Sequence, residues 1–325
     1  MAAASFSAFQ NDRGSVMAKY ILKRIIIALI TIWIVITAVF VMVRLLPGDP
    51  FMDPKVPLAT QEKMRAYYGL DKPILEQYAT YMKNILHGDL GTSLRTKNRS
   101  VNAIIASGFP YSIDLGIRAL IFALVAGLLL GIVAALKQNR ALDHISMAVA
   151  VVGISIPSFI LGSLIQYFFA VKLHWFPVAL YKDFTYTVLP TFALGFGSVA
   201  TIARLTRTSM LEVSYEDYIK TAMAKGLNNF EVTWKHKIRN ALLPVITVLG
   251  PMIATLLTGT FVIENIFAIP GLGKHYVNSI QMLDYPLIMG TTIVYCVFLV
   301  IMQLVVDILY GIVDPRIKLA EKKSK

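Results

Sequence analysis

The sequence predicts an all-α polytopic membrane protein, with six membrane-crossing helices and a small extracytoplasmic helical cap between the first two. Three observations carry that reading. The 325 residues are 56% hydrophobic and only 15% charged, with a mean hydropathy of +0.64; soluble domains carry about a quarter charged residues. Five apolar runs are long enough to cross the roughly 30 Å hydrocarbon core, and a sixth is weaker. The basic residues are crowded into alternate loops.

Residues 1–16 are polar and aperiodic and read as a disordered extension, with Met17 a possible natural start. Residues 17–45 form the first span, its apolar run Ile25 to Val43 uninterrupted. A signal-peptide core would be shorter and end at small residues, whereas this run ends in Arg44-Leu45-Leu46-Pro47-Gly48.

The segment 46–110 is the longest polar stretch. Thr60 to Tyr68 predicts a short helix stopped at Gly69. Asp71 and Pro73 open a second, with a stripe of Ile74, Leu75, Tyr78, Met82, Ile85 and Leu86 ended by Gly88. It is too short and too polar to cross a bilayer, so it is expected to pack on the spans as a cap.

The five-span core is expected over 111–313, with a tail at 314–325. Its spans are roughly Ile113 to Leu136, Ile145 to Val171, the weaker Val188 to Ile202, Leu242 to Ile263 and Leu287 to Val313. Loop parity requires the weak one to cross. Gly127 and Gly131 form a small-xxx-small pair suited to close helix packing. Pro157 and Pro251 should kink or loosen their helices. Asp114 and Arg118, four apart, are suited to pair or snorkel. Cys296 is the only cysteine and forms no intrachain disulfide; within an apolar run it reads as a small core residue.

Charge sets the orientation. The loops 137–144, 204–239 and 314–325 hold most of the basic residues near span ends, while 172–187 and 264–286 hold only Lys172, Lys182 and Lys274. The positive-inside rule places both termini and the 204–239 loop in the cytoplasm. The net charge of +12 is therefore a topology signal, and nucleic acid is not an expected partner.

Several chemistries find no support. There is no G-x-x-x-x-G-K-[ST], and Gly271-Leu272-Gly273-Lys274 lacks that spacing. The five histidines show no metal-ligand spacing, and no H-E-x-x-H or G-x-S-x-G is present. Acids within spans are few, Asp307 being the clearest, which counts against an ion-coupled carrier; a carrier of that kind or a channel is the rival of another class. No catalytic residue, metal or cofactor is expected on this chain. The fifth span offers a candidate passage, since Thr247, Pro251, Thr255, Thr258 and Val262 share one helical face. The same threonines could equally bond back to their own helix.

The loop over Ser214 to Pro244 is the most structured of the polar segments. Ser214 and Asp217 have capping-box spacing and predict a helix from near Tyr215, with Gly226 as its stop. Glu216 and Lys220 are placed for an i,i+4 pair. Tyr215, Tyr218, Ile219, Ala222 and Met223 form an apolar face. Asn228 and Glu231 mark a second helix start. An amphipathic helix of that length needs a groove on another molecule or a lipid surface, and the pattern leaves both open.

The run Thr221-Ala222-Met223-Ala224-Lys225-Gly226-Leu227, followed by Arg239-Asn240-Ala241-Leu242-Leu243-Pro244, resembles the cytoplasmic "EAA" loop of bacterial ABC importer permeases. The form is that of the oligopeptide/dipeptide/nickel branch, most like the first (B-type) peptide permease. General members carry Glu-Ala-Ala where this chain has Lys220-Thr221-Ala222, a departure common in this branch. The similarity runs from Leu46-Pro47-Gly48-Asp49-Pro50 to Asp314-Pro315-Arg316-Ile317, and Phe267 to Gly273 resembles the branch's outer turn.

The resemblance implies the type I importer transmembrane fold in a bacterial inner membrane. It implies a second homologous permease, two ATPase subunits that bind ATP and Mg, and an extracytoplasmic substrate-binding protein. It makes Tyr218, Ile219, Lys220, Thr221, Ala222, Met223, Lys225 and Gly226 the ATPase-coupling residues. Peptides are the expected cargo, with nickel, haem or opines as the alternative on the same scaffold.

Overall fold

A computed structural model describes residues 2–45, 58–67, 69–96, 99–258 and 260–313. The motif at 46–50 and the tail at 314–325 lie outside the described residues, as do the side chains of Thr258 and Asp307. In chain order the helices are α1 (Ala2–Leu45), α2 (Leu58–Tyr67), α3 (Ile74–Leu86), α4 (Val101–Leu136), α5 (Ala141–Ser155) and α6 (Ser158–Ile165), which continues as the π-helical Gln166–Lys172. They are followed by α7 (Phe184–Ser214), α8 (Asp217–Ala224), α9 (Asn229–Val232), the π-helical Thr233–Ile238, α10 (Arg239–Thr258), α11 (Thr260–Ile266), α12 (Leu272–Gln281) and α13 (Tyr285–Val313). Among the described residues, five stretches are long and apolar enough to cross a membrane, and α5 with α6 makes a sixth if the bent pair counts as one span.

Of the polar segment 1–16, expected to be disordered, residues 2–16 are instead helical as the opening turns of α1. Extending an existing helix is far easier than nucleating one, and the apolar span downstream supplies the nucleus. The expected core over 111–313 also divides. The described residues within 1–107 and 275–313 form one compact unit, and those within 108–274 form the other.

In the first unit, α1 packs on α13 around Phe40, Val43, Tyr285, Ile288 and Met289. The cap helix α3 joins that core through Tyr78 and Tyr81, whose rings lie 5.3 and 5.6 Å from that of Phe40. Its predicted stripe is rotated accordingly, and Ile74, Leu75 and Leu86 are exposed. Aromatic contact with Phe40 outweighs the aliphatic pattern. The following loop is pinned by Asp284, which accepts from Ser93 Oγ at 2.5 Å and from the Leu94 amide at 3.1 Å.

In the second unit, the helix with the weakest apolar signal is the central one. Half of the apolar window of α7 is buried, and it touches α4, α5, α6 and α10. Its hydropathy is low because small and hydroxyl residues such as Ala193, Gly195, Ala200, Ala203 and Thr206 occupy its packed faces. The glycine pair of α4 works as expected. A Cβ at Gly127 would sit 2.7 Å from Ile202, and one at Gly131 would sit 2.6 Å from the Ala203 carbonyl oxygen. Pro157 does more than kink its span. It caps α6 and sets a bend of 107° between α5 and α6. Pro251 remains inside a continuous α10.

Asp114 and Arg118 pair at 2.8 Å, and the Tyr181 hydroxyl donates to the same carboxylate. Cys296 is a free thiol and half-buried, so it is less enclosed than a core residue would be.

Candidate functional site

The loop between α7 and α10 folds as a two-helix hook. Its first helix begins later than the Ser214–Asp217 spacing predicts. Ser214 is still the last residue of α7, and its hydroxyl donates to the Met210 carbonyl at 2.7 Å. A serine that can bond back within an existing helix is lost as a cap for the next. Glu216 occupies the N-cap position of α8 without a side-chain bond. The expected Glu216–Lys220 pair is replaced by Lys220–Asp217 at 2.8 Å.

The end of α8 matches the expectation. Gly226 takes φ +84°, its amide donates to the Met223 carbonyl at 2.9 Å and the Leu227 amide to that of Ala222 at 3.3 Å. That is a Schellman closure, and Leu227 packs back on Ala222 in the same apolar cluster. The second start is a full capping box. Asn228 Oδ1 accepts from the Glu231 amide at 2.8 Å, and Glu231 Oε2 accepts from the Asn228 amide at 3.4 Å.

The predicted apolar stripe of α8 splits in two. Ile219 and Ala222 are buried against Val232 of α9, with Val213 and Leu227 around them. This face finds a partner within the chain in α9, because the two caps fold α9 back onto α8. Tyr215, Tyr218 and Met223 are exposed, together with Lys220, Thr221, Lys225 and Gly226. The Tyr218 hydroxyl accepts from Asn240 Nδ2 at 3.0 Å. The hook is thus tied to α7 through Val213 and to α10 through Asn240.

On α10, Thr247, Pro251 and Thr255 share an exposed face and Val262 of α11 is half-buried. The threonine hydroxyls donate to the Leu243 and Pro251 carbonyls at 3.1 and 2.9 Å. Thr255 also borders a cavity of about 240 Å³ beside the Pro157 break, which Ser158 and Ser198 line as well.

Two polar constellations had escaped the sequence reading. Glu264 is fully buried. It accepts from Ser112 Oγ at 2.6 Å and from the Gly273 amide at 2.9 Å, while Ser112 Oγ accepts from the Leu272 amide at 2.9 Å. Glu264 lies beyond the apolar run that ends at Leu257. Burial is the largest influence on its carboxyl and holds it above the ordinary glutamate range, against opposing bonds from Ser112, Thr260 and the Gly273 and Lys274 amides. A Cβ on Gly271 would fall on that carboxylate. The glycines of the outer turn are therefore required by close approach. Asp143 is buried too, and accepts from Arg207 through Nε at 2.6 Å and Nη2 at 2.7 Å and from the Asn139 amide at 2.9 Å. Its only signal in the sequence is an acid inside an otherwise basic loop.

Comparison with known proteins accounts for nearly the whole chain. The chain is 50% identical over 307 residues to the dipeptide transport system permease protein DppB of Bacillus subtilis, covering 94% of this chain and all of that one. It is 40% identical over 305 residues to the oligopeptide transport system permease protein OppB of Escherichia coli K12, covering 93% and 100%. Its fold resembles a chain of the MetNI methionine ABC transporter in an inward-facing conformation. The TM-score is 0.53 at 17% identity, over 65% of this chain and 96% of that one. Residues 17–116 match the N-terminal family of binding-protein-dependent transport system membrane components. Residues 127–319, more than half of the sequence, match the binding-protein-dependent transport system inner membrane component family, and the chain belongs to it.

Proposed function

We propose that this chain is the permease subunit of an ATP-driven peptide importer, and that the outward face of α8 docks onto an ATP-hydrolysing partner. One observation carries the reading: a short helix is fixed by a Schellman closure and an adjacent capping box, yet presents Tyr218 and Met223 to solvent. Apolar side chains held outward on a rigid support suit a groove on another protein. Lys220, Thr221 and Lys225 rim that face, and Gly226 sets its end. Ile219 and Ala222 take a different role from the one expected of them. They hold the hook together, and Tyr218 and Met223 make the contact.

ATP and Mg bind to the partner, and the work reaches this chain as a displacement of α8. The hook passes it to α7 and α10, the helices to which Val213 and Asn240 connect it. Ser158, Ser198, Thr255 and the exposed face of α10 are the candidate lining of the path. Direction comes from partners that bind the two states of the assembly unequally. A second homologous permease and a substrate-binding protein complete the assembly. Both termini and the hook lie in the cytoplasm, as the basic loops favour.

The test is uptake of labelled dipeptide by cells producing this chain with the transporter genes beside its own. Co-purification of the ATPase subunits is measured alongside. Met223→Lys is expected to lose the ATPase subunits and the uptake while the chain still inserts. Wild-type levels of both in Met223→Lys would reject the docking face, and absence of uptake by the wild-type assembly would reject the peptide cargo. Cysteines at Asn139 and Asn229 should react only from the cytoplasm, and one at Thr92 only from outside.

A further inference from the structure

We propose that the cavity at the C-terminal ends of α4 and α7 is an anion site, and that it takes the phosphate of an anionic phospholipid headgroup. The cavity has a volume of about 440 Å³ and is lined by Lys137, Arg140 and Lys237, with Ser214 and Tyr215 on its wall. The three cations come from three elements: the residue after α4, the residue before α5, and the π-helical segment after α9. No acid appears among its described lining residues. The nearest buried one, Asp143, is already satisfied by Arg207 and the Asn139 amide.

Two helix C-termini also face this region, and each contributes roughly half a negative charge. Against three full positive charges, about two remain uncompensated. Sorting of basic residues to one side of a membrane explains why they are on this side. It does not explain why residues a hundred positions apart converge on one cavity. A bound anion does, and a phosphodiester, which only accepts, suits a lining of Lys137, Arg140 and Lys237 with Tyr215 beside them. The site lies where α4 leaves its apolar run, and Leu129, Val133 and Leu136 on the last turns of α4 are exposed. A headgroup held at Lys137 would lay its acyl chain along them. Basic pockets at this depth recognise anionic headgroups.

The inference does not depend on the cargo; it uses the proposed orientation only to name the inner leaflet. The test uses the intact transporter assembly in nanodiscs of phosphatidylcholine with or without phosphatidylglycerol, reading retained phosphatidylglycerol by native mass spectrometry. The triple variant Lys137→Gln, Arg140→Gln, Lys237→Gln is expected to lose on the order of a hundredfold in apparent affinity, and each single variant about fivefold. A charge-matched control, Lys63→Gln, Lys83→Gln, Lys182→Gln, keeps wild-type retention, as does Lys137→Arg with Lys237→Arg. If the triple variant does not assemble, Lys237→Gln carries the measurement. Unchanged retention in the glutamine variants overturns the site. Displacement of the lipid by inorganic phosphate overturns the headgroup as its occupant.

Discussion

The hook at 213–232 and the outer turn at 264–273 do the same geometric job by opposite means. Each reverses the chain beside a membrane-crossing helix, and each uses a positive φ, +84° at Gly226 and +49° at Ala268. The hook is wired by neighbours, with every cap bond joining residues three to five apart. The turn is wired by Glu264, which reaches Ser112, 152 residues earlier, and through it the amide of Leu272. Local wiring in solvent tolerates loss of one bond, because water replaces it. Buried wiring does not, because no water reaches a group that has lost its partner. The hook should therefore melt piecemeal and the turn should fail as a unit.

The largest test of that contrast is Glu264→Leu. It leaves the Ser112 hydroxyl proton and the Gly273 amide together without their acceptor, so a loss on the order of 3 kcal/mol or more is expected, with uptake abolished. Thermal unfolding of the assembly in detergent reads it, and a loss no greater than that of a surface change would mean the turn is held by something else. Next comes Ala222→Asp, which puts an unpaired charge between α8 and α9 at about 1–3 kcal/mol. Here the damage should stay within the hook. Hydrogen exchange should rise over 217–232 while the amides of α7 remain protected, and spread of exchange into α7 would make the hook part of the core.

A smaller effect separates the charge of Glu264 from its shape. The folded-state pKa is raised, so the folded state binds the proton more tightly than the unfolded chain. Wild-type stability should rise as pH falls through the folded pKa and level off below the unfolded one. Glu264→Gln should remove that part of the slope, and a profile identical to wild type would place the proton elsewhere. Asn228→Ala removes one cap and should lower stability by about 1 kcal/mol, with exchange increased at the Glu231 amide alone. The smallest expected change is Lys220→Gln. Its pair with Asp217 is solvent-exposed and worth about 0.5 kcal/mol or less, so a midpoint shift as large as that of Asn228→Ala would show that this pair is not merely a surface one.

The sequence by itself determined which stretches are apolar enough to cross, the loop charges, the close packing at Gly127 and Gly131, the stop at Gly226 and the box at Asn228–Glu231. Each depends on hydropathy or on bonds within a few residues, which are visible as patterns in one dimension. It misread Ser214, because a cap signal is also a back-bonding signal and only the extent of α7 separates the two. It undervalued α7 because packing against protein needs small residues rather than apolar ones. The tertiary structure alone decided that Ile219 and Ala222 face Val232, that Pro157 bends its span through 107°, and that Glu264 and Asp143 are buried. The partners of those acids are Ser112 and Arg207, 152 and 64 residues away. No periodicity links residues that far apart in sequence; they meet only when the helices carrying them have packed.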